Sequence, residues 1–547
     1  MVAEAPLLPA ELVTSLASVH LVRAGTEVFT LLCSQMTPDQ WEKELGPVLL
    51  RCLTGGISYT VHQKCLEHWL QPSLRLQPSC LQWLLDSLPS EGRPVLLTRL
   101  TLAKLGAQQD DKELLLLLAR CCAHPDPDLR AAALGAICQS GRTAPKKDEL
   151  ELVLNLLHDS ATVPCTKFRQ RVAASLNSLV AKCREEAAKC FREQQQQQEE
   201  VQTCTERLQE LLTFLDKSLK VLFLHLLPGG NYQRRSFALD LIQVFVNNLF
   251  DLSSKEAKRS HGNSTTVLAL ANKEGQLELF SANHLQLLVG CLEDHMGDVV
   301  EKAAKLLALW TPGEKEQKEL VEQMLKLTDS SKEAKCHSGA VMAGLLQHWG
   351  AVISEDNNIP TEKLEGTGKR VDLGWQLIER AMLTLQRCKK DLVGSAWHGP
   401  LHGLLTAVRH CLKEHLDMHQ VGVVLTLVED TVDLMLSLLT GHLSDQDRDN
   451  SSSYDENADF QQMAESISKL VAEEGETISI PESHQRVLSM AWHCLKEASL
   501  LAAHLIGVGR STISTDQLSR CAQVFLNVAS TCRHKGAMEA AGTIRYA

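Results

Sequence analysis

His415 and His419 stand four residues apart in HCLKEHLDMH, with His410 just before them. Two imidazoles at that spacing share one face of a helix and could hold a zinc ion. The zinc-hydrolase motif needs His-Glu-x-x-His, and here Glu414 precedes His415, so a surface or packed histidine pair is the expected reading. His62, Cys65 and His68 recur at spacings of three, which wraps them around a helix and does not converge them on one tetrahedral ion. No metal ligand is assigned.

Phosphate chemistry fares no better. GTGKR at Gly366 to Arg370 resembles the end of a phosphate-binding loop, but Lys363 stands where the first glycine belongs and Arg370 where a magnesium-binding hydroxyl belongs. GVGRST at Gly507 to Thr512 follows the helix-like SLLAAHLI and reads as a helix-ending turn. The chain has no Gly-x-Ser-x-Gly elbow, no kinase motif set and no dinucleotide fingerprint after a strand. No catalytic or cofactor-binding residue is assigned, and the chain is expected not to be an enzyme; a site without a local motif would fall in the Gly374 to Leu416 region.

Basic residues are the remaining candidates for chemistry, through phosphate. They gather at Lys146 and Lys147, at Lys167, Arg169 and Arg171, at Arg234 and Arg235, at Lys255, Lys258 and Arg259, and at Arg533, His534 and Lys535. On repeat helices such residues ordinarily solvate an outer face or bond neighbouring carboxylates; several on one concave face would make a phosphate track.

Composition bounds what these residues can belong to. Lys plus Arg total 55 against 67 Asp plus Glu, a net charge of −12, which argues against coating nucleic acid by bulk charge. Hydrophobic residues at 44% exclude a disordered chain, and aromatics at 4% are low for a sandwich or barrel. Eighteen cysteines without a Cys-x-x-Cys pair point to free, mostly buried thiols in a reducing compartment. The N-terminal MVAEAPLLPAELVTSL lacks the basic start of a signal peptide, and no apolar run approaches a membrane span, so a cytosolic protein is expected.

The elements that must carry the candidates are helices. PDPDLRAAALGAI, KFRQRVAASLNSLV, NYQRRSFALDLIQVF and DVVEKAAKLLALW each run from a polar start through small residues to Leu or Ile. Leu129, Ala132, Ala133 and Ala136 fall on one helical stripe, as do Phe237, Ala238, Leu241, Ile242 and Phe245. From Ala133 to Ala174 is 41 residues, the period of HEAT or armadillo repeats, and the next steps of 64 and 66 contain a Gln-rich run at Gln194 to Gln198 and a polar insertion at Asp251 to Gln276. The Gln run reads as the exposed part of one long helix whose later face, Val201 to Leu222, is packed, with a flexible linker as the alternative. The fold class is therefore all-α, a HEAT/armadillo-like helical-repeat solenoid. Residues 1–350 form the repeat region and 351–547 a second helical region, with an acidic loop at Leu443 to Gln461 and a helix over Val487 to Ala502.

Three segments of the second region, HGLLTAVRHCLKEHL, SHQRVLSMAWHCLKEASLLAAHLIG and FLNVASTCRHKGAMEAA, resemble the family of thyroid-adenoma-associated protein, THADA, and its yeast relatives. Upstream, NYQRRSFALDLIQVF and LLVGCLEDHMGDVVEKAAKLL are similar to the repeats that precede that family's signature domain. The resemblance implies a non-catalytic regulator of tRNA ribose methylation, with no cofactor of its own. Its implied partners are tRNA and a methyltransferase that uses S-adenosylmethionine on the 2′-hydroxyl of nucleotide 32 in the anticodon loop. Arg533, His534 and Lys535 match a basic family position and lead the binding candidates, followed by Arg234 and Arg235. Family members are longer and continue to an Arg-Arg-Ser-Ala-Gly-type motif, so this chain is expected to be a truncated member. The alternative is a protein-interaction solenoid with no RNA role.

Overall fold

The computed structural model describes residues 8–105, 111–139, 145–195, 201–250, 255–353, 372–412, 416–440, 480–509, 512–532, 539 and 542. Among them there are helices and no strand. The chain forms two compact units, Met1–His284 and Leu285–Ala547.

The first unit runs α1 (Leu8–Ala17), α2 (Val22–Gln35), α3 (Pro38–Glu44), α4 (Gly46–Leu53), α5 (Tyr59–His68), α6 (Leu70–Leu76), α7 (Cys80–Ser87), α8 (Arg93–Lys104), α9 (Asp111–Cys122), α10 (Pro127–Gln139), α11 (Lys147–Asp159), α12 (Thr166–Gln195), α13 (Val201–Leu224) and α14 (Tyr232–Phe245). A π-helical stretch, Val246–Phe250, continues α14, and α15 (Lys255–Lys273) follows. The second unit begins within α16 (Ala282–Leu292) and holds α17 (Gly297–Leu307), α18 (Glu314–Thr328), α19 (Glu333–Trp349), α20 (Leu373–Lys390), α21 (Leu392–His398), α22 (Leu401–Cys411), α23 (Met418–Thr440), α24 (Ile480–Val508) and α25 (Thr515–Thr531).

Helix starts follow from polar residues placed to satisfy the first free amides. Asp126 accepts from the Asp128 amide at 2.8 Å with Pro127 opening α10, and Asn231 accepts from the Arg234 amide at 2.8 Å at α14. Ser514 and Gln517 form a reciprocal capping box at α25.

Packing of every second helix shows the repeat. In the first unit α8, α10, α12 and α14 touch in succession, while α9, α11 and α13 form a parallel row. The two rows make the layers of a HEAT/armadillo-like stack, because each stripe of small and aliphatic residues is buried only by its neighbours. Leu129, Ala133, Phe237, Leu241 and Ile242 are fully buried. In the second unit α17, α19, α22 and α24 touch in turn, and α20, α23 and α25 likewise. Gly403 of α22 is required by this packing, since a Cβ there would lie 2.0 Å from the Thr328 carbonyl oxygen at the end of α18.

One expectation differs. The one long helix expected here is two helices, α12 ending at Gln195 and α13 starting at Val201: Gln194 of α12 donates to Thr205 of α13 at 3.2 Å and Arg207 pairs with Glu186 at 2.7 Å, so the two run antiparallel, and residues 196–200 lie outside the described residues. Helical periodicity persists on both sides of the reversal, which hides it in the sequence. The polar insertion at Asp251 to Gln276 is largely α15, which packs on the π-helical stretch and on α12, with Ser264, Val267 and Ala271 buried.

The expected acidic loop at Leu443 to Gln461 and the GTGKR run lie outside the described residues. The helix expected at Val487 to Ala502 is part of α24, with Ala491, Leu495 and Ala502 buried. None of the eighteen cysteines is in a disulfide; Cys165 is exposed, Cys204 half-buried and the others buried.

Candidate functional site

Arg533, His534 and Lys535 lie outside the described residues, as does His415. Arg234 and Arg235 belong to α14 and are turned toward the chain just before it. The Arg234 guanidinium donates to His225 Nδ1 at 3.1 Å and to the Leu224 carbonyl at 3.0 Å, and Arg235 donates to the Gly230 carbonyl. These bonds hold the connection from α13 to α14, whose carbonyls have no helical partner.

Other basic residues of the first unit stitch repeats together. Arg93 of α8 reaches Asp126 and, at 2.8 Å, Asp128; Asp128 in turn accepts from Arg171 of α12 at 3.1 Å. One carboxylate at the start of α10 thus bridges three successive helices of one layer. Lys146 pairs with Asp111 at 2.6 Å across the other layer. His62 is buried on α5 against the Pro94 carbonyl at 3.1 Å, and burial lowers its pKa, so it is a core histidine.

The second unit contains a cleft of about 530 Å³ between α17, α19, α22 and α24. His402 forms its floor, 3% exposed, with Nε2 at 3.5 Å from Cys336 Sγ and its ring 5.1 Å from that of His493. Burial, reinforced by His493, pushes the His402 pKa down to about 3, so the ring is neutral at ordinary pH. Its Nδ1 is buried without a hydrogen-bond partner. Burial pushes the Cys336 thiol up to about 12, and it donates to the Ser330 carbonyl at 2.9 Å. That is the reverse of an activated nucleophile, whose pKa must fall.

Above this neutral floor stand two ion pairs. Glu497, with a side chain only 9% exposed, accepts from Arg409 of α22 at 3.2 Å, while Lys496 bonds Glu333 of α19. The Lys496 ammonium holds the Glu333 carboxyl below its usual range. His337 meets His410 edge to face at 5.9 Å, and burial pushes the His410 pKa down to about 4. The cleft therefore offers donors and acceptors for a polar group, with four carboxylates, Asp298, Glu301, Glu333 and Glu497, against two cations, Arg409 and Lys496, and so an excess of negative charge.

None of the sequence-predicted binding residues lines this cleft among the described residues. Lys496 and Glu333 are 163 positions apart, so no local spacing announces them. The available signal was weaker: HCLKEASLL places His493, Lys496 and Glu497 on one turn of an otherwise apolar helix.

Comparison with known proteins gives the context of both units. A sequence model of the family described as Trm732, TPR repeats, matches residues 64–300, and one described as THADA/TRM732, DUF2428, matches residues 419–544. Among solved structures, the crystal structure of SYS-1 at 2.6 Å is similar over 98% of this chain and 98% of that one, at 10% identity and a TM-score of 0.20. The SYS-1/POP-1 complex at 2.5 Å is similar over 98% and 96%, at 11% identity and a TM-score of 0.19. No curated protein sequence matches the chain. Among the described residues no helix is long and apolar enough to cross a membrane. With one family's repeat region and its DUF2428 region matched in order along the sequence, the chain belongs to the THADA/Trm732 family.

Proposed function

We propose that the chain is a non-catalytic scaffold supporting tRNA modification: it assists a separate, S-adenosylmethionine-dependent methyltransferase in 2′-O-methylation of nucleotide 32 of the anticodon loop. The observation that carries the reading is the presence of both family regions in one chain, residues 64–300 and 419–544. The neutral His402 and protonated Cys336 of the cleft support a binding role over a catalytic one. A stack of helices supplies a long, preformed surface for folded RNA, which proteins recognise by shape and backbone, while the partner performs the transfer. Arg533, His534 and Lys535, with Arg234 and Arg235, are the proposed contact residues, and the cytosol is the proposed compartment.

A second reading, a protein-interaction scaffold without an RNA role, is favoured by the net charge of −12 and by the pairing of Arg93 and Arg171 with Asp128. Pull-down of the methyltransferase by the chain, with and without tRNA, and methylation of a tRNA transcript by that pair separate the two. The first reading predicts a complex and stimulated methylation, and charge reversal at Arg533 and Lys535 should weaken either without loss of helical content. A complex with no stimulation and no response to tRNA supports the second reading.

A further inference from the structure

At the end of the α12–α13 hairpin, two thiols and one carboxylate converge. Cys190 and Glu193 lie three residues apart on the same face of α12, and Cys204 faces them from α13. Their ligand atoms all lie within 4.8 Å of one another. Within the group, Cys204 Sγ lies 3.5 Å from Glu193 Oε2. Cys190 is buried at 7% exposed, and the Glu193 side chain is 32% exposed, so the carboxylate forms the solvent side of the group.

A tetrahedral zinc ion has Zn–S bonds of about 2.3 Å and Zn–O bonds of about 2.0–2.2 Å, which puts neighbouring ligand atoms roughly 3.5–3.8 Å apart. The Cys204 to Glu193 separation already has that size, and the three atoms need only a small closure around an ion. We propose that Cys190, Glu193 and Cys204 bind one zinc ion, with water as the fourth ligand, clasping α12 to α13. Nothing in the proposed tRNA role requires this site, so the two stand or fall separately.

The chemistry balances without an oxidant. Both thiols lose their protons to solvent as the two Zn–S bonds form, and the carboxylate displaces zinc-bound water. Two thiolates, one carboxylate and a divalent ion leave one net negative charge. Lys189 offsets it, its ammonium 3.5 Å from Glu193 Oε1. Because the ion replaces the thiol protons, binding strengthens as pH rises. A disulfide between the two cysteines would use both sulfurs and leave Glu193 facing them without purpose, which is why an ion fits the group better.

The test uses the full chain. Purified in the presence of zinc and then desalted, it should retain about one zinc per chain, measured by elemental analysis, and cobalt substitution should give a sulfur-to-cobalt charge-transfer band in the near ultraviolet. Cys190→Ser and Cys204→Ser should each lose both signals, and Glu193→Gln should release the ion at a lower chelator concentration. In the unmutated chain zinc should protect Cys190 and Cys204 together from alkylation, a measurement that survives misfolding of either variant. Substoichiometric zinc, a cobalt band that persists in Cys204→Ser, absence of paired protection, or a Cys190–Cys204 disulfide found by mass spectrometry of the unreduced chain would each overturn the site.

Discussion

His402 Nε2 lies 3.5 Å from Cys336 Sγ, joining α22 to α19 through two groups that burial holds neutral. A neutral contact of this kind adds no ion-pair attraction, and its effect on the protein appears through pH.

The folded pKa of His402, about 3, lies below the ordinary histidine value of 6.5, so the unfolded chain takes up a proton before the folded one does. Stability from this group is complete above pH 6.5 and is lost as pH falls toward 3. Between pH 6.5 and 5 the loss is about 2 kcal/mol. His410, pushed to about 4, acts in the same direction. Urea denaturation across pH should therefore show a steep fall below pH 6.5, and His402→Gln should flatten part of it. An unchanged slope in that variant would contradict the burial of a neutral His402.

Asp128 accepts from Arg93 at 2.8 Å and from Arg171 at 3.1 Å, and all three side chains are more than a third exposed. Solvent screening holds each pair to about 1 kcal/mol or less. Asp128→Ala should cost about 1–2 kcal/mol, and adding Arg171→Ala to it should cost little more, since the shared partner is already gone. Full additivity in a double-mutant cycle by denaturant unfolding would show that the bridge carries no coupling.

Leu277 is buried at 1% exposed yet has a φ of 57°, with its amide donating to Asp216 at 2.9 Å. Leu to Ala at a buried site costs about 2–5 kcal/mol, and the left-handed backbone adds about 1–2 kcal/mol for any residue with a Cβ. Leu277→Gly should thus be no less stable than Leu277→Ala, the reverse of the order on a helix. Thermal unfolding of the two variants checks it.

Gly403→Ala should destabilise the second unit by about 1–3 kcal/mol, because the new methyl would meet the Thr328 carbonyl at 2.0 Å and Cys336 Sγ at 3.0 Å. Both α18 and α19 must yield. A loss within a few tenths of a kcal/mol would mean that α22 shifts freely, against the close packing described.

The stripes at Leu129 to Ala136 and Phe237 to Phe245, the free thiols and the family segments were legible in sequence because each is a local pattern: helical period, cysteine spacing, motif order. The hairpin reversal at the Gln run was not legible, since α12 and α13 share one uninterrupted amphipathic texture on either side of it. Nor was the helix α15, whose buried face includes Ser264.

By itself, then, the sequence determined that the protein is a stack of helices and which residues turn inward. Periodicity encodes burial of a stripe but not which stripe meets it. The tertiary structure alone decided that Lys496 bonds Glu333 from 163 positions away, that His402 sits against Cys336, and that Cys204 comes back to Cys190 and Glu193. The physical reason is that desolvation and pairing are properties of a packed site, and they exist only once the helices have closed around it.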